Sequence, residues 1–264
     1  MNLELMTRQV VNLSKAVGQM IRKEVDRLKE SDVEYKGIHN LVTYVDKKAE
    51  EILVAELKNI LPEAGFIAEE DAGLKRGERF NWIVDPLDGT TNFIHKIPIY
   101  SISLALNDGD ETILGVVYEI NLKECFYAWK NGPAFLNEKP IRVTGTPILD
   151  KSLIATGFPY YDYSKLDPYL ALFKDLMQSS RGVRRLGSAA VDLAYVAAGR
   201  FELFYEYGLS PWDVAAGALI VKQAGGEVSR FNGDNQYIFG REIIASNGLV
   251  HKEFSVKIKQ YFFS

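Results

Sequence analysis

Trp82-Ile83-Val84-Asp85-Pro86-Leu87-Asp88-Gly89-Thr90-Thr91-Asn92-Phe93 runs from an apolar strand into two carboxylates three residues apart, then into a helix start. Proline holds φ at about −65° and has no amide hydrogen, so Pro86 interrupts the strand's ladder and lets the two Asp side chains turn towards one point. The amides of Gly89, Thr90 and Thr91, at a helix start, have no intrahelical partner and are available to an anion. A cation and a phosphate thereby become neighbours.

Upstream, 65–68 reads as a short buried strand, followed by Glu69-Glu70-Asp71, three acids at a strand end where a metal site is credible. The stretch 41–46 leads into a helix over 47–60, with Ala49, Ile52, Leu53, Leu57 and Ile60 on one face and Pro62 ending the run. Thr43 is the expected N-cap, which puts Asp46 in the first turn, where the helix dipole favours a carboxylate. Apolar residues from Val10 to Leu28 recur three or four apart and predict a helix over 3–29. The periodicity stops over 31–40, which reads as a loop with Lys36 near its tip.

Downstream, three strand-like runs at 99–107, 113–119 and 124–130 are separated by hairpin-type turns, predicting an antiparallel portion of sheet. Gly145 and Pro147 mark the best boundary between two halves, about 1–145 and 146–264, of one domain. Beyond it come strands at 153–156, 182–186, 201–205, 227–228 and 242–245. Helices at 166–179, 188–198, 212–224 and from 249 onward alternate with them. Alternating elements imply a layered α/β architecture.

The net charge of −4 comes with scattered basic residues, which leaves no electrostatic footprint for nucleic acid. The single cysteine, Cys125, excludes an intrachain disulfide and a thiolate cage, and reads as a small buried hydrophobe. There is no apolar run of the roughly 20 residues that span a bilayer, and no signal-peptide core at the N-terminus, so the cytoplasm is the expected compartment. His39, His95 and His251 have no nucleophile or acid partner in sequence and read as structural.

Mg²⁺ takes oxygen ligands and is held by a few carboxylates plus substrate phosphate. Asp85 and Asp88 fit that rule, and Glu69 together with Asp213, in Pro211-Trp212-Asp213-Val214, would complete two cation positions. Four carboxylates balance two divalent ions, leaving a phosphate dianion attracted by direct coordination. With two such ions, one activates a water while both bear on the oxygens of an in-line displacement, and the Thr90 hydroxyl is placed to hold that water.

These residues resemble the inositol monophosphatases of the lithium-sensitive, Mg²⁺-dependent phosphatase superfamily. The resemblance rests on Asn40-Leu41-Val42-Thr43 with Asp46, Ala68-Glu69-Glu70, the WIVDPLDGTTNF block, Leu186-Gly187-Ser188-Ala189-Ala190, and Glu206 through WDVAAGALIVKQAGGEV. It implies a layered α-β-α-β-α sandwich and a homodimer. Glu69, Asp85, Asp88 and Asp213 would bind two or three Mg²⁺ ions, with the Leu87 carbonyl contributing. Thr90, backed by Asp46, would orient the attacking water alongside Glu69. Asp88, Gly89 and Thr90 would meet the substrate's phosphate, and Gly187, Ser188, Ala189 and Glu206 its alcohol part. Lys36 resembles a mobile-loop lysine. Asn40 departs from the pattern, which usually has Asp there.

The expected activity is hydrolysis of a small phosphate monoester, foremost myo-inositol monophosphate, by metal-activated water. The alternatives are a 3′-phosphoadenosine nucleotide, fructose 1,6-bisphosphate or NADP as substrate, or an inactive metal-dependent binding module. Glu206 favours a neutral polyol, because a carboxylate repels a second phosphate.

Overall fold

In the computed structural model, which describes residues 1–35, 41–71 and 73–263, the N-terminal apolar stripe forms α1 (Leu3–Glu24). Asn2 caps it, its Oδ1 accepting the Leu5 amide at 3.0 Å. The helix stops five residues short of 29 because the Arg27 and Leu28 amides turn back onto the Glu24 carbonyl. Val25 and Leu28 still pack on the same core from that turn, so the apolar spacing is satisfied without a helix.

Part of the expected loop is a strand, β1 (Val33–Tyr35), paired antiparallel with β2 (Leu41–Thr43). Three residues are too few for an alternating pattern to stand out. Lys36, His39 and Asn40 lie outside the described residues. α2 (Tyr44–Ile60) starts from the expected cap: Thr43 Oγ1 accepts the Val45 amide at 3.1 Å and Asp46 Oδ2 accepts the Thr43 amide at 2.9 Å.

The first sheet contains β3 (Gly65–Ala68), β4 (Phe80–Asp88), β5 (Ser101–Asp108), β6 (Glu111–Glu119), β7 (Glu124–Trp129), β8 (Phe135–Leu136) and β9 (Lys139–Pro140), in that spatial order. β3 runs parallel to β4, and the remaining neighbours are antiparallel. The β8–β9 hairpin, two residues per strand, carries no periodic signal in the sequence. Pro86 breaks the ladder without ending the strand. Asp85 pairs with Ser103, the register shifts, and pairing resumes with Asp88 opposite Ser101. A short helix, α3 (Thr90–Ile94), follows at once.

The second half supplies β10 (Leu153–Thr156), α4 (Leu166–Ser179), β11 (Gly182–Arg184), α5 (Ala189–Ala197), β12 (Leu203–Tyr207), α6 (Pro211–Gln223), β13 (Glu227–Ser229), β14 (Glu242–Ser246) and α7 (His251–Phe262). Its strands form a mixed sheet in the order β11-β10-β12-β14-β13. β12 sits two residues later than the sequence suggests. Phe201 is held in the preceding turn by its amide, which donates a hydrogen bond to the Tyr195 carbonyl, and Glu206 lies inside the strand opposite Ile243. β11 ends at Arg184 rather than 186, and the Leu186 carbonyl accepts the Asn92 side-chain amide at 2.9 Å instead.

Three cores define the layers. α1 and α2 cover one face of the first sheet, where Val10, Ile21 and Leu53 meet Trp82, Val84 and Leu104. α5 and α6 lie between the sheets, with Leu193 and Ala216 in one cluster with Ile83 and Val117 of the first sheet and Phe204 and Ala245 of the second. α4 and α7 cover the far face, through Leu172, Leu176 and Phe254 against Leu203 and Ile244. The result is the α-β-α-β-α sandwich. Successive side chains of a strand face opposite ways, so the unbroken apolar run 82–84 reflects a sheet buried on both faces. Gly115 allows α6 its close approach: a Cβ there would stand 2.7 Å from the Ala216 carbonyl oxygen. Cys125 is fully buried, and desolvation pushes its thiol up to about 12, which leaves it inert.

Candidate active site

The register break in β4 forms one wall of a cleft. Asp85 Oδ1 accepts the Leu87 amide at 2.9 Å, which folds the chain back across Pro86. The Thr90 hydroxyl points at two acceptors, the Leu87 carbonyl and Asp46 Oδ1, each at 3.0 Å. Asp46 thus performs two tasks, capping α2 with one oxygen and holding Thr90 with the other, and it lies buried behind the cleft rather than lining it. Gly89 caps α3 at φ 98°, in the left-handed region, and a Cβ there would press to 3.1–3.2 Å against the Ile99 and Gly187 carbonyl oxygens.

The second half docks onto this turn through polar contacts. Asp88 Oδ2 accepts the Ser188 hydroxyl at 2.6 Å and the Ala190 amide at 2.8 Å, both at the start of α5. Asn92 donates to the Ile99 carbonyl at 2.7 Å and to the Leu186 carbonyl. Asp213, third residue of α6, accepts the Ser210 amide at 2.6 Å, and the Ser103 hydroxyl donates to the Trp212 carbonyl at 2.8 Å. Asp85, Asp88 and Asp213, two from one half and one from the other, consequently present carboxylate oxygens within 4.8 Å of one another. Glu69, just past the end of the neighbouring strand, lines the same cleft, its amide donating to the Val84 carbonyl at 3.3 Å.

Desolvation is the largest influence on every acid of this group. It pushes Asp88 up to about 6 and, with the charge of Asp88 adding to it, Asp213 up to about 7. Glu69 and Asp85 rise well above the carboxylate range, first through burial and then through repulsion from neighbouring acids. Asp46 rises to about 6 through burial, opposed by its hydrogen bonds to Thr43 and Thr90. Acids gathered at this cost fit a divalent cation, whose charge reverses both effects. Asp85, Asp88 and Asp213 are the residues that could hold it, all oxygen donors of the kind Mg²⁺ prefers, and Glu69 stands on the same lining outside that group of three.

The cleft has a volume of about 240 Å³. The first half lines it with Glu69, Asp85, Leu87, Asp88, Gly89 and Thr90, and the second half with Gly187, Ser188, Ala189, Glu206 and Asp213. Every site residue expected from sequence is on this lining except Asp46, placed behind Thr90, and Lys36, which lies outside the described residues. The Ser188 hydroxyl is already committed to Asp88.

The sequence reading missed three features of the wall. Gly157 packs its backbone against the Glu206 carboxylate so tightly that any Cβ would overlap it. Asp192, one helical turn after Ser188, is a buried acid on the lining that burial and the charge of Glu206 drive well above its usual range. Arg185 donates to the Tyr160 hydroxyl at 2.6 Å and sits over the Phe158 ring at 5.8 Å. The four-residue spacing from Ser188 to Asp192 was the one signal available beforehand.

The model of the inositol monophosphatase family matches residues 2–261. The chain belongs to that family. Inositol-1-monophosphatase of Mesorhizobium japonicum is 38% identical, with 95% of each chain covered. Nus factor SuhB of Pseudomonas aeruginosa is 40% identical over 89% of this chain and 88% of its own. Among solved structures, Thermotoga maritima IMPase superposes with a TM-score of 0.86 at 36% identity, covering 96% of both chains. Inositol monophosphatase family members are phosphatases, and the acidic cluster could hold a metal ion. Among the described residues, no helix is long and apolar enough to cross a membrane.

Proposed function

We propose that this protein hydrolyses a small phosphate monoester, foremost myo-inositol monophosphate, with Mg²⁺ held by Glu69, Asp85, Asp88, Asp213 and the Leu87 carbonyl. The observation that carries this reading is the convergence of Asp85, Asp88 and Asp213 from two halves of the fold onto one point. When bound, two or three such ions would supply Lewis-acid stabilisation of the phosphate oxygens and a nucleophile at neutral pH. The protein's own groups do the positioning. Asp46 fixes the Thr90 hydroxyl, which holds the attacking water alongside Glu69, and the Gly89 and Thr90 amides donate to the phosphate at the start of α3. Glu206, with Gly187, Ser188 and Ala189, takes the alcohol, its carboxyl group meeting ring hydroxyls.

The buried acids Glu206 and Asp192 on the alcohol side support a neutral polyol over fructose 1,6-bisphosphate, a 3′-phosphoadenosine nucleotide or NADP, because a carboxyl group bonds ring hydroxyls in either protonation state and offers no positive charge to a second phosphate. In this proposal the chain works as one phosphatase domain with halves 1–145 and 146–264, as a lithium-sensitive homodimer in the cytoplasm. A second reading, an additional role as a Nus factor, rests on the identity to the Pseudomonas protein of that name. The test is phosphate release from inositol, sugar and nucleotide phosphates. Inositol monophosphate should be turned over best, a chelator should stop turnover and added Mg²⁺ should restore it. Turnover indifferent to chelation, or confined to nucleotide substrates, would reject the proposal.

A further inference from the structure

We propose that Glu50 is a positioning residue that fixes Glu69 for cation binding, an assignment that rests on the function proposed above. Glu50 lies on α2, 3% exposed. Its Oε2 accepts the Glu70 amide at 2.9 Å and its Oε1 the Asp71 amide at 2.8 Å. Each oxygen engages one of two successive amides, so the backbone leaving Glu69 is fixed in direction as well as in place. On the other side, the Glu69 amide donates to the Val84 carbonyl at 3.3 Å, one residue before Asp85. Residue 69 is therefore clamped between α2 and the strand that carries its partner acid.

Glu50 also stands four residues after Asp46, on the same face of α2. One rigid helix face thus sets both the Thr90 hydroxyl, through Asp46, and the Glu69 backbone, through Glu50. A buried carboxylate is costly unless hydrogen-bonded, and here both of its bonds are spent on the segment just behind a cation-holding residue. Three acids in succession, Glu69 to Asp71, repel one another, and this anchoring holds the backbone of the first of them beside Val84, next to Asp85.

Glu50→Gln keeps the size and one acceptor but turns an NH₂ towards the second amide. Calorimetric titration with Mg²⁺ should give a dissociation constant raised about 10–100-fold, the usual consequence of losing an outer partner of a ligand. At saturating Mg²⁺, kcat and the substrate KM should return to within a few-fold of the unmutated protein. The matched control is Glu119→Gln. Glu119 is equally buried and likewise caps two turn amides, those of Asn121 and Leu122, but these belong to the turn between β6 and β7, and Glu119 stands two strands from Asp88 across the first sheet. It should leave Mg²⁺ affinity unchanged. An unchanged affinity in folded Glu50→Gln, or an equal loss in both variants, would overturn the assignment. Should Glu50→Gln not fold, Glu50→Asp, which retracts the same charge by one methylene, is measured instead, with the same shift expected and its absence equally fatal. Absence of Mg²⁺ binding by the unmutated protein would remove the function itself, a result distinct from either.

Discussion

Asp85, on the first-sheet wall of the cleft, has its Oδ1 occupied by the Leu87 amide, whereas Asp192, on the facing wall, leaves its Oδ1 without a hydrogen-bond partner among the described residues. The contrast extends along both walls. Asp88 and Asp213 each accept a backbone amide, as does Asp46 behind the cleft, and Thr90 is held by two acceptors, so these groups are oriented before any ligand arrives. Opposite them, Tyr160 and Tyr161 are 40% and 56% exposed at the rim. On the function proposed, the groups that would meet the phosphate, which every monoester shares, are fixed by the fold. On the alcohol side of the proposed site Ser188 and Tyr160 are also held, and it is Asp192 that keeps an oxygen for the substrate to engage; pre-orientation is where electrostatic catalysis gains most.

Breaking the first wall should cost the most. Asp85→Asn keeps the bond to the Leu87 amide and removes the charge, so phosphate release should fall by about 10²–10³-fold or more in a protein that remains folded by circular dichroism. Retained turnover would take Asp85 out of the mechanism. Breaking the second wall should act on recognition instead. Glu206→Ala should raise KM for inositol phosphate by about tenfold, the value of one charge-assisted hydrogen bond, and leave KM for an aryl phosphate nearly unchanged. Equal effects on the two substrates would merge the walls into one.

The smallest effect lies outside both walls. His251 is buried behind the second sheet, where its ring bonds the hydroxyls of Ser229 and Ser246, and desolvation lowers its pKa against the opposing pull of Glu227 at 3.8 Å. The neutral ring is the form that stabilises the fold. The unfolded chain takes up the proton first, so this contribution is present above pH about 6.5 and is lost as the pH falls below it. The loss of melting temperature in His251→Gln should therefore be smaller at pH 5 than at pH 7.5, with turnover at 25 °C unaffected. A larger loss at pH 5 would mean that the charged ring, paired with Glu227, is the stabilising form.

Most of the first wall could be read from sequence because it is local: Asp85, Asp88, Gly89 and Thr90 lie within six residues, and proline and glycine fix the backbone between them. The capping pair of Thr43 and Asp46 was legible for the same reason. What the sequence withheld depends on contacts across the fold. Glu50 gives no motif, since its meaning comes from amides some twenty residues away. The fit of Gly157 against Glu206 exists only once β10 and β12 lie side by side. Short pairings such as β1 with β2 fall below the length at which periodicity speaks, and the end of α1 was overstated because Val25 and Leu28 keep an apolar spacing outside a helix.

The central claim is that acids from both halves hold one catalytic cation centre, and Mn²⁺, which accepts the same oxygen donors as Mg²⁺, can locate it. Crystals soaked in Mn²⁺ should give anomalous difference peaks bounded by the carboxylates of Glu69, Asp85, Asp88 and Asp213, and these should weaken in Asp85→Asn. Peaks elsewhere in the molecule, or an occupied centre unchanged by that substitution, would contradict the account.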